Sequence, residues 1–87
     1  MTIRLYPNDK TFTDNVSALR DMSQKYNNPH PRIVVVLDGE AIETTSIRML
    51  PGDTFCYTGK REPYGENRVE LSRIDQVYFW FEYEVQS

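Results

Sequence analysis

The sequence predicts an α+β domain of order β-α-β-β-β-β-β, with one helix packed on a curled, mostly antiparallel sheet. Three observations carry the prediction. Only one stretch, from Phe12 to Tyr26, spaces its apolar residues as a helix does. The remaining apolar segments are short and alternate, or are β-branched on both faces, as strands are. Asp38-Gly39 and Pro51-Gly52 are turn signals that join antiparallel neighbours.

The elements follow in order. Thr2 to Tyr6 alternates, with Ile3 and Leu5 set against Thr2, Arg4 and Tyr6, until Pro7-Asn8-Asp9 breaks the pattern. Phe12, Val16, Leu19, Met22 and Tyr26 then form one helical stripe, which Thr11 or Thr13 can cap. Asp14 suits the positive N-terminal end and Lys25 the negative C-terminal end, and Asp21 precedes Lys25 in the favourable i,i+4 order. Asn15, Asp21, Gln24 and Lys25 keep the opposite face wet, and Asn27-Asn28-Pro29-His30-Pro31 stops the helix.

Arg32 to Leu37 reads as a strand in the middle of a sheet, apolar on both faces. Asp38-Gly39 predicts a type I′ turn, because that turn needs positive φ at both central residues. Glu40 to Leu50 therefore returns antiparallel, with a bend or bulge expected at Thr44-Thr45-Ser46. Pro51-Gly52 leads into a strand over Thr54 to Thr58. A loop then reaches a strand from Arg68 to Leu71, and Ser72 to Asp75 connects to the last strand.

That last strand, QVYFWFEYEV from Gln76 to Val85, sets Val77, Phe79, Phe81, Tyr83 and Val85 on a core face. Its other face begins with Tyr78 and Trp80 and ends with Glu82 and Glu84. Two strands thus predict a second face that is partly dry, and one helix cannot cover both faces. Either the sheet closes over Tyr78 and Trp80 as a small roll or barrel, or another chain covers them.

Composition excludes several function classes. A chain of 87 residues is expected to form a single domain over 1–87. Its net charge of −3 comes from 13 acids and 10 bases that are interleaved, so it offers neither a basic arm nor an acidic tail, which argues against nucleic acid as the first choice of partner. Cys56 is the one cysteine, so no disulfide framework or thiolate metal cluster is expected, and a reducing compartment fits best. The longest apolar run is the five residues from Ile33 to Leu37, so neither a signal peptide nor a membrane span is expected, and a cytoplasmic location follows.

No catalytic constellation emerges. His30, the one imidazole, lies between two prolines and reads as a loop residue, and Cys56 sits in a strand where a small hydrophobe belongs. Asp38-Gly39-Glu40 lacks the spaced acids of a calcium loop, and the glycines at 39, 52, 59 and 65 stand apart in turns. No metal, cofactor or catalytic residue is assigned. Glu82 and Glu84, roughly 7 Å apart on one strand face, suit a carboxylate pair, but acids are common on exposed strands.

The loop from Gly59 to Arg68 places Lys60, Arg61, Tyr64 and Arg68 close together, with Arg73 nearby. It could present a tyrosine between guanidinium groups to a partner, a phosphate or a single-stranded base, although Glu62, Glu66 and Glu70 cancel most of its charge. The expectation is therefore a non-enzymatic protein-binding or inhibitory protein. Tyr78, Trp80, Lys60, Arg61, Tyr64 and Arg68 would contact a protein partner or a second copy. The alternative is a nucleic-acid-binding module using the sheet face and the 59–68 loop. As a class, a compact, acidic, motif-free chain of this length is similar to the products by which phages and mobile elements inhibit host proteins, anti-CRISPR and anti-restriction factors among them.

Overall fold

A computed structural model describes residues 2–25, 32–61 and 65–81, with the backbone alone over 22–25. The chain forms β1 (Thr2–Leu5), α1 (Phe12–Lys25), β2 (Arg32–Leu37), β3 (Glu40–Leu50), β4 (Thr54–Gly59), β5 (Glu66–Glu70) and β6 (Ile74–Trp80), with a 3-10 turn at Leu71–Arg73 before β6. The six strands make one sheet in the order β1-β6-β2-β3-β4-β5, and each pairing is antiparallel. The predicted α+β order holds. β5 begins at Glu66 rather than Arg68, and β6 at Ile74 rather than Gln76. Tyr26, His30, Tyr64, Glu82, Tyr83, Glu84 and Val85 lie outside the described residues, as does the side chain of Met22.

Local chemistry builds the helix entrance. The Asp9 N–H donates to the Tyr6 carbonyl at 2.9 Å, and Asp9 Oδ1 accepts both the N–H and the hydroxyl of Thr11, at 3.0 and 2.9 Å. Thr11 stands at the helix boundary as expected, its carbonyl accepting the first helical N–H from Asn15 at 2.9 Å. Its hydroxyl, however, serves Asp9 and accepts from Asn15 Nδ2. Phe12, Val16 and Leu19 are buried in one cluster with Ile33, Val35, Val77 and Phe79. Each such burial is worth roughly 1.5–3 kcal/mol, so the stripe holds the helix on the sheet.

Two bulges set which residues face the core. β3 pairs Thr44 with Gly59 and Ser46 with Thr58, leaving Thr45 as the extra residue. Side chains alternate along a strand, so one inserted residue changes their phase. Thr44 before the bulge and Ile47 after it are therefore both buried. The expected irregularity at 44–46 is this bulge. In β6 the register shifts opposite Val36 and Leu37, so that Ile74 and Val77 both face the core. Asp75, between Ile74 and Gln76, sends Oδ2 to the N–H of Gly39 at 2.7 Å.

The sheet curls tightly. Drawn out straight, the eleven residues of β3 would separate their ends by about 33 Å. Yet the Leu71 N–H donates to the Asp53 carbonyl at 2.8 Å, and the Asp38 N–H to the Arg73 carbonyl at 3.2 Å. The three residues 71–73 thus bridge the two turns that flank β3, which limits their separation to about 17 Å. β3 must bend, and Thr45 is where its pairing is interrupted. The roll stops short of closure, with β1 and β5 as edges.

Candidate functional site: an uncovered sheet face

Register fixes two rows across the face opposite the core. Thr2, Trp80 and Arg32 stand side by side on β1, β6 and β2, and Arg4, Tyr78, Val34 and Glu43 form the next row, extending onto β3. No described element lies over these rows. The curl wraps the other face, where Ile47 and Phe55 join Val77 and Phe79 in the core. Closure of the sheet over Tyr78 and Trp80 is therefore not what happens: the bend at Thr45 goes toward the apolar face that repays burial most.

Two arginines cover the aromatics instead. Arg4 on β1 places its guanidinium carbon 5.1 Å from the Tyr78 ring centre, and Arg32 on β2 lies 5.3 Å from the Trp80 ring centre. Each arginine is the direct cross-strand neighbour of the ring it covers, one from either side of β6. Such stacking combines ring electrostatics with loss of apolar surface to water. Arg4 also donates from Nη1 to Gln76 Oε1 at 3.0 Å. Trp80 nevertheless keeps 39% of its surface exposed, while Tyr78, Val34 and Val36 are half-buried.

The loop residues separate around this face. Lys60 pairs with Glu43 at 3.2 Å, which anchors it at the end of the Arg4–Tyr78 row. Arg61 is exposed beside it. Arg68 lies further along the sheet on β5, 3.7 Å from Glu66. Arg73 does not join the loop: the 3-10 turn carries it to the β2–β3 hairpin, where it reaches Asp38 Oδ2 from Nη2 at 2.6 Å and from Nε at 3.1 Å. Arg4 and Arg32 were not among the residues expected to matter. Strand alternation does set Arg4 apart from Ile3 and Leu5, but that the two arginines flank β6 depends on its pairing with β1 and β2, both distant from it in sequence.

A second polar cluster covers Cys56. Arg48 grips Glu66 with two hydrogen bonds, Nε to Oε2 at 3.0 Å and Nη2 to Oε1 at 2.6 Å. Register puts Cys56 between Arg48 and Arg68, and its thiol is fully buried. The hydrogen bonds from Arg48 hold Glu66 below the ordinary carboxylate value, with the charges of Arg48 and Arg68 adding to the effect. These groups are partnered, and the thiol fills space as a small hydrophobe.

Among the described residues, no group of three or more His, Cys, Asp or Glu side chains is arranged to hold a metal ion, and no helix is long and apolar enough to cross a membrane. No protein-family model, curated protein or solved structure matches this chain.

Proposed function

We propose that the protein is a non-enzymatic binding protein that acts on a protein partner through the face of β1, β6 and β2. The observation that carries the reading is the exposed Trp80 beside Tyr78 on a sheet face that no described element covers. Tryptophan and tyrosine are the usual anchors of protein interfaces, since each removes a large apolar area from water at small entropic cost. The open roll supports this reading, because a free sheet face is where such anchors can work. An inhibitory role, of the kind small phage and mobile-element proteins fill, is compatible with such a surface.

Light scattering across a wide concentration range, with tryptophan emission read on the same samples, tests the reading, because Trp80 is the one tryptophan. We expect a concentration-independent mass, red emission and ready quenching by acrylamide. Emission that is blue and protected in a dilute monomer would place Trp80 inside the fold and overturn the reading. Partner retrieval then compares wild type with Trp80→Ala, and a protein retained by both would bind elsewhere.

A further inference from the structure

We infer that the partner presents an acidic segment to this face, with carboxylates reaching Arg4 and Arg32 and an apolar side chain between them on Tyr78 and Trp80; this rests on the binding role proposed above. The two guanidinium groups have no carboxylate partner among the described residues, whereas Arg48, Lys60, Arg68 and Arg73 each have one. Arg4 donates to the neutral Gln76, and Arg32 stacks on Trp80. A guanidinium has five donors in a planar fork, so each arginine retains donors suited to a carboxylate.

Spacing sharpens the fit. Arg4 and Arg32 stand two strands apart and one row apart across the sheet, which separates their Cα atoms by about 12 Å. The guanidinium heads lean over β6 between those Cα atoms, on rings two residues apart, so acids about two to four residues apart in an extended segment can reach both. The ridge between them is Tyr78 and Trp80, where an apolar residue of that segment would rest.

Two other occupants fit less well. A second copy placed face to face would bring four such arginines into one interface, while Glu43, the nearest acid in the same rows, is already held by Lys60. A nucleic acid binds chiefly through many clustered cations on its phosphates, and the 10 bases of this chain are interleaved with 13 acids.

Panning a random linear peptide library on the full chain, followed by titration of selected synthetic peptides against Trp80 emission, tests the inference. We expect peptides with Asp or Glu about two to four residues apart around an apolar residue, shifting the emission blue and losing about tenfold in affinity with Arg4→Gln or Arg32→Gln. Circular dichroism melts establish that both variants fold. Peptides that shift Trp80 emission but lack acids, or ignore both substitutions, would overturn the acidic partner and leave the binding face standing. Peptides that bind without touching Trp80 emission, or no selected binder at all, would overturn both. Oligothymidylate that shifts the emission in an Arg4- and Arg32-dependent way would replace the acidic segment with nucleic acid.

Discussion

The backbone N–H of Leu71 donates to the carbonyl of Asp53 at 2.8 Å, joining the end of β5 to the β3–β4 turn. With the Asp38 N–H bound to Arg73, it holds the two turns that flank β3 close together. The curl of the sheet is therefore a property of where three residues are tied, and Thr45 supplies the break in pairing that permits it.

Deletion of Thr45 tests that dependence. Without the extra residue, Thr44, Ser46 and Ile47 keep their partners on β4 in plain alternation, so the core phase survives while the bend that the bulge gives β3 is lost. We expect a loss of about 1–3 kcal/mol in urea unfolding, since a straighter β3 strains or breaks the two backbone hydrogen bonds that tie its flanking turns together. Thr45→Ala, which keeps the bulge and removes one long 3.4 Å hydrogen bond to Thr58, should cost below about 1 kcal/mol.

Adjacent residues of β6 should differ sharply. Phe79 is fully buried and Trp80 is 39% exposed. Phe79→Ala, like Leu19→Ala between helix and sheet, should cost about 2–5 kcal/mol. Trp80→Ala should cost less, about 1–2 kcal/mol, because two-fifths of the residue is already in water. Chemical unfolding of the variants measures the difference directly.

The β2–β3 hairpin has positive φ at both central residues, 49° at Asp38 and 82° at Gly39. Gly39→Ala meets no atom within 4 Å, so its expected cost of about 1–2 kcal/mol comes from backbone conformation. Thermal melts should show this loss, and a stability equal to wild type would mean that the turn has relaxed to another form.

Acid should weaken the fold through Glu66 and Asp9. Arg48 holds Glu66 below its ordinary value of 4.5, and hydrogen bonds from Thr11 hold Asp9 below 3.8. A carboxylate lowered in the folded state stabilises fully above its unfolded value, and the contribution disappears as pH falls through the folded value. Stability should therefore decline from about pH 5 downward, and Glu66→Gln and Asp9→Asn should each flatten the decline. Both groups are exposed, so added salt should shrink the Glu66 effect.

Much of this architecture was legible locally. The helical stripe, the Asp38-Gly39 turn and the alternation in β6 depend on neighbours a few residues apart, where sterics and periodicity act without knowledge of the rest of the chain. The division of Tyr78 and Trp80 from Val77 and Phe79 came from that alternation alone. The irregularity at Thr44-Thr45-Ser46 was visible because the apolar phase changes across it.

Tertiary structure alone decided which residues accompany those aromatics. β1 pairs with β6 across nearly the whole chain, so Arg4 and Tyr78 meet only when distant segments align. The direction of the curl was equally hidden: it depends on which face gains more by burial once all strands are paired, and on the ties that Leu71 and Arg73 make to distant turns. Sequence determined the strands and their two faces because each follows from local geometry. The fold decided which face stayed open and which charges border it, because long-range pairing energies compete only in the assembled sheet.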